Sequence, residues 1–145
     1  MTRLSRKFVP ASLAIAATFT VFSPVTPAGY AAAASKNGPT VYTSNKSGWV
    51  KFYADSSPNG TGDTIAIHDS LKDGSSVVAD IVYGANRVRI YNTGGVGSTK
   101  YAVLNGGAGI TEGAPVDYTA CDINLSNDPD GWPPHHCGNS GRGIS

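Results

Sequence analysis

From residue 48 onward, apolar and polar residues alternate in short runs, and each run stops at a cluster of Gly, Asn, Asp or Ser. A two-residue period is that of a β-strand with one face buried. Gly48 to Ala54 reads as the first strand, with Val50 and Phe52 on one face and Trp49, Lys51 and Tyr53 on the other. Ser56 to Gly60 ends it. Asp63 to His68 follows, with Ile65 and Ile67 opposite Thr64, Ala66 and His68. Asp69 to Gly74 is a loop whose Asp73-Gly74 step suits a positive-φ turn. Ser75 to Tyr83 sets Val77, Ala79 and Ile81 against Val78, Asp80 and Val82. Both of its faces carry apolar residues, so this strand is expected at the centre of its sheet.

Gly84-Ala85-Asn86 turns the chain into Arg87 to Tyr91, with Val88 and Ile90 facing in and the arginines out. Thr99 to Leu104 is the next run. Ala114 to Ile123 is the last, with Val116, Tyr118 and Ala120 opposite Asp117, Thr119 and Cys121. Residues 35–47 read as a flexible start, and the tail after Asp122 reads as irregular. Past residue 35 there is one Glu, Glu112, and no Met, while Gly, Thr, Ser and Val abound. Short strands with Gly-rich turns predict an all-β fold: one small antiparallel β-sandwich, jelly-roll-like, over residues 48–145.

Residues 1–34 break this pattern. Arg3, Arg6 and Lys7 precede an uncharged apolar stretch from Phe8 to Val25, then a small-residue exit ending Ala32-Ala33-Ala34. That order is the one of a secretory signal peptide, so a secreted, extracellular protein is expected. Pro10, Pro24 and Pro27 flank the apolar run, and no basic cluster follows it, which favours a cleaved leader over a membrane anchor. Cleavage after Ala34 leaves 111 of the 145 residues. The 11 basic and 10 acidic residues become 8 and 10, a net charge of −2. No basic patch remains to attract nucleic acid or an anionic membrane. A monomer without a cofactor is expected.

Export also changes the meaning of the cysteines. Cys121 and Cys137 are the only two, and outside the cytoplasm an isolated pair most simply forms a disulfide. The rival is a metal site recruiting His135 and His136, for which adjacent imidazoles make poor tetrahedral geometry. The loop between the cysteines presents Asp130, Trp132, His135 and His136 around Pro133-Pro134. A crosslinked, Pro-stiffened loop carrying Trp and His suits a preorganised binding loop, with Trp132 exposed. Trp132 folded back over an open end of the sandwich is the plain alternative.

Other candidate chemistry has equally plain alternatives. Asp63, Asp69, Asp73 and Asp80 are oxygen donors of the kind calcium needs, yet Asp69 and Asp73 also suit turns. Asp128-Pro129-Asp130-Gly131 resembles part of a calcium loop, with Cys137 where the last carboxylate belongs. His68 and Asp69 adjoin on a strand, so their side chains point apart. Cys137-Gly138-Asn139-Ser140-Gly141 resembles a serine-protease nucleophile segment without the chain length for that fold. Glu112 and Asp117 could form a glycosidase pair. Trp49, Tyr53, Tyr83, Tyr91, Tyr101, Tyr118 and Trp132 suit stacking on sugar rings if they share a face, and core packing if they do not.

Three stretches carry a resemblance: Asp73-Gly74-x-Ser76-Val77, the run Tyr91 to Thr99, and Thr111-Glu112-Gly113-x-x-Val116-x-Tyr118-x-x-Cys121. Together they resemble a group of small secreted β-proteins common in actinomycetes, over roughly residues 48–140. The resemblance implies fold, export and a bacterial origin, and it carries over no catalytic residue. The expectation for function is a non-catalytic extracellular binding or interaction protein for a protein or glycan. A secreted inhibitor of extracellular proteases or other hydrolases, and a small glycan hydrolase, are the alternatives.

Overall fold

In a computed structural model, residues 34–127 and 133–145 are described. The chain divides into two units, Met1–Tyr30 and Ala31–Ser145, and every described residue belongs to the second. The expected leader therefore lies outside the described residues, apart from Ala34 at its end.

The second unit is all-β, as the alternation predicts. Its strands are β1 (Val41–Tyr42), β2 (Gly48–Tyr53), β3 (Thr64–Asp69), β4 (Ser76–Tyr83), β5 (Asn86–Asn92), β6 (Thr99–Val103), β7 (Pro115–Ile123) and β8 (Ser140–Ile144). They form two four-stranded sheets, ordered β1-β2-β3-β6 and β5-β4-β7-β8, and every pairing is antiparallel. β4 lies between β5 and β7, which accounts for its two apolar faces. Val50, Phe52, Ile65 and Ile67 of the first sheet share one buried cluster with Val77, Ala79, Ile81, Val116, Tyr118 and Ala120 of the second. The inward positions are those the two-residue period assigns, so each outer face is fixed by the same parity.

Two expectations are corrected. The start, residues 35–47, is held in place. Lys36 bridges Ile144, Gly38 N–H donates to the Phe52 carbonyl, and Val41, Thr43 and Ser47 are buried. The tail after Asp122 is not irregular throughout, because Ser140–Ile144 pairs with β7 as a regular strand. Its Ser-Gly-Arg-Gly-Ile sequence has weak strand character, and its glycines answer to packing instead. A Cβ at Gly141 would fall 2.7 Å from the Tyr118 ring, and one at Gly143 would fall 2.3 Å from the Phe52 ring. Glycine here lets two large core rings lie against the backbone.

Cys121 and Cys137 form a disulfide, their Cα atoms 4.0 Å apart. Cys121 points outward from β7, where it joins Val78 and Ile123 in a small second cluster that Tyr91 and Leu125 border. Among the described residues, no helix is long and apolar enough to cross a membrane.

Candidate functional site

The outward positions of the first sheet put aromatic and polar side chains in rows across the strands. Tyr42 pairs with Trp49, Trp49 with His68, and His68 with Thr99. In the next row Lys51 pairs with Ala66 and Ala66 with Tyr101; in the last, Tyr53 pairs with Thr64 and Thr64 with Val103. Ala66 and Thr64 are wholly shielded, so they form the floor of an outer layer. Among the described aromatics Tyr42 is the most open, at 54% exposure.

Trp49 is oriented by its neighbours. Its ring stacks on the His68 imidazole, with centroids 5.1 Å apart and planes inclined by 18°. His68 Nδ1 lies 2.8 Å from the Thr99 hydroxyl, which sets the turn of the imidazole. The stack occupies one face of the indole, and Tyr42 is the neighbour of Trp49 on β1. The Lys51 ammonium sits 4.8 Å from the centroid of the Tyr53 ring, a cation–π contact along the same strand.

Beside β1 a groove of about 450 Å³ opens between residues 40–44 and 137–139. Tyr42 belongs both to this groove and to the aromatic row. The segment after the disulfide reaches β1 because residue 138 is glycine, for a Cβ there would overlap the Tyr42 carbonyl oxygen. The Ser44 N–H donates to the His136 carbonyl and anchors the same edge.

Under this edge lies a buried carboxylate. The Asp122 side chain is 4% exposed and that of His136 is 59% exposed, with Nδ1 3.1 Å from both carboxylate oxygens. A carboxylate only accepts, so the imidazole proton belongs on Nδ1. The Asn45 amide donates to Asp122 at 2.6 Å, and the Ser47 hydroxyl donates at 3.2 Å. His136 adopts φ 48°, a left-handed conformation uncommon for a residue with a Cβ. In a serine-hydrolase triad the imidazole stands between hydroxyl and carboxylate. Here the carboxylate stands between Ser47 and His136, and Ser47 is buried. The cluster therefore ties the β1–β2 turn to the disulfide segment and lacks an activated nucleophile.

Comparison with protein-family models, with curated proteins and with solved structures found no match.

Of the expected binding loop, Asp130 and Trp132 lie outside the described residues, as does Asp128. His135 is placed, its backbone exchanging hydrogen bonds with Asp122. The calcium candidates do not gather. The Asp69 carboxylate accepts from the Leu71 N–H, the Asp73 carboxylate from the Ser75 N–H, and Asp63 from the Ile110 N–H and the Ser145 hydroxyl. Burial raises the Asp69 carboxyl above its ordinary value. Among the described residues, no three His, Cys, Asp or Glu side chains form a metal cluster.

Asp117, half of the expected glycosidase pair, receives a two-pronged bond from Arg142 at 2.6 and 2.8 Å. That guanidinium holds its carboxyl below the usual range, the opposite of what a general acid needs. Ser140, in the protease-like segment, is a strand residue whose hydroxyl lies 2.9 Å from that of Thr119. Of the seven aromatics singled out, Trp49, Tyr53 and Tyr101 share the first sheet's outer face, whereas Tyr83 and Tyr118 are core. Tyr42, Thr99 and Asp122 were missed. Alternation places Trp49 and Tyr53 together, but only the cross-strand register brings Tyr42 and His68 to either side of the indole.

Proposed function

We propose that the protein is a secreted, non-catalytic binding protein whose recognition surface is the outer face of the first sheet. The observation that carries this reading is the row Tyr42-Trp49-His68-Thr99, an oriented aromatic surface continuing into the β1 groove. Rigid aromatic anchors with adjacent polar groups are the usual makings of an interaction hot spot, because little side-chain freedom is lost on binding. Export is supported by the leader-like first 34 residues and by the disulfide. The resemblance to small actinomycete secreted β-proteins agrees with that address.

The test is retention of the purified protein on a panel of immobilised extracellular glycans and proteins. Trp49→Ala should abolish whatever binding the wild type shows, and Arg142→Ala, on the opposite face, should leave it intact. Equal retention of both variants would refute the surface. Release of reducing ends from the same glycans would favour the hydrolase alternative. Inhibition of a protease panel that Trp49→Ala leaves intact would favour the inhibitor.

A further inference from the structure

Resting on the binding reading above, we propose that the ligand is an uncharged polysaccharide. One of its sugar rings seats on the exposed Tyr42 ring at the end of the Tyr42-Trp49-His68 row, and its chain continues into the groove at residues 137–139.

The ring geometry selects the place. His68 covers one face of the indole, stacked at 5.1 Å. On the other side of Trp49, Tyr42 stands in register on β1 and is exposed. Neighbouring strands are spaced about 4.8 Å apart. Rings on neighbouring strands are therefore too close to sandwich a pyranose, as the 5.1 Å stack of Trp49 on His68 illustrates, and the sugar stacks on the exposed Tyr42 ring with Trp49 beside it. The π-face of an aromatic ring carries partial negative charge, which suits the C–H-rich face of a sugar.

Charge selects the ligand class. The outward positions of the first sheet are Tyr42, Trp49, Lys51, Tyr53, Thr64, Ala66, His68, Thr99, Tyr101 and Val103. They include no carboxylate, and their lysine leans over the Tyr53 ring. An acidic or basic partner would find no complementary row there. A neutral polyhydroxyl chain needs scattered donors and acceptors, and the residues lining the groove include Thr40, Ser44 and Asn139. Its volume of about 450 Å³ falls in the range of small-molecule sites. His68 and Thr99 act as positioning residues: they fix the indole before a ligand arrives and so lower the ordering cost of binding.

Affinity gel electrophoresis through arabinoxylan, mixed-linkage β-glucan, hydroxyethylcellulose and glycol chitin tests this. The wild type should be retarded by at least one of the four. Trp49→Ala and Tyr42→Ala should each weaken retardation about tenfold or more, and His68→Ala should weaken it less. Tyr42 is exposed, so its variant guards against a folding defect in Trp49→Ala. Wild-type mobility unchanged by all four polymers, with Trp49-dependent binding to proteins on the panel, would overturn the glycan class and leave the recognition surface standing. Retardation that survives both Trp49→Ala and Tyr42→Ala would overturn the surface as well.

Discussion

The two outer faces of the sandwich share one alternation and one pleat, yet they use their outward side chains in opposite ways. On the second sheet the charges are consumed locally. Arg87 grips Asp80 with two bonds, of 2.6 and 3.1 Å, and Arg89 approaches the same carboxylate at 3.7 Å. Arg142 grips Asp117 in the same fashion. Elsewhere that face buries Val78, Cys121 and Ile123 and leaves Val82 exposed. On the first sheet the side chains buttress one another and leave ring surface open. The hydroxyl of Thr99 turns His68, His68 backs Trp49, and Tyr42 stands exposed beyond it. A face whose groups satisfy one another has little left to offer a partner. On our proposal, a face whose groups orient one another without closing is the one that meets a partner.

Stability measurements should separate the faces first. Replacing both cysteines, Cys121→Ser with Cys137→Ser, should cost about 3 kcal/mol, the chain-entropy value for a loop of this length. Because the disulfide segment also forms one wall of the groove, binding should weaken in the same variant. Chemical denaturation and gel retardation on one preparation check both. Asp122→Ala comes next. It removes the acceptor of the Asn45 amide, the His136 Nδ1–H and the buried Ser47 hydroxyl, which keeps Thr43 as a partner, at a cost of about 1 kcal/mol. Asp122→Asn, which keeps the shape but sets an amide N–H2 among those donors, should cost about as much, and an unchanged midpoint would deny the carboxylate its role.

Trp49→Ala should behave differently, with a large effect on binding and a smaller one on the unfolding midpoint, since the residue lies outside the core between the sheets. A collapse of stability in that variant would mean the aromatic row is a second core and not a recognition surface. The smallest effect belongs to the second face. The guanidinium partners hold the Asp80 and Asp117 carboxyls below their ordinary pKa. The stabilisation from these pairs is therefore present above the usual carboxylate range and is lost as pH falls through and below it. Both arginines are solvent-exposed, so the acid-limb change should be slight and should shrink further in salt. Arg142→Ala should leave the neutral-pH midpoint within error. A large, salt-insensitive loss would contradict the view of this face as a solvated ladder.

The contrast explains what could be read beforehand. The two-residue period alone assigns Val50 and Phe52 inward and Trp49 and Tyr53 outward, and the central place of β4 follows from its double apolar face. The disulfide follows from there being only two cysteines, behind a leader-like start that raises the expectation of export. β8 could not be read, because its glycines mean close approach to Tyr118 and Phe52, and a glycine's purpose is invisible without its neighbour. β1 is two residues long, too short for a period to register. The Asp122 cluster spans 77 residues of sequence to Asn45, and no local pattern announces a contact of that range. Of the Trp- and His-bearing loop, His136 meets Asp122, while Trp132 falls outside the described residues.

The central claim is that ligand meets the first face and not the second. Amide chemical-shift mapping of the isotope-labelled protein, titrated with xylo-, cello- and chito-oligosaccharides, tests it most directly. The account predicts saturable shifts gathered at residues 40–44, 49, 66–68, 99–101 and 137–139. Shifts centred on residues 80–89, 117–119 and 140–142, or none with any of the three series, would contradict it.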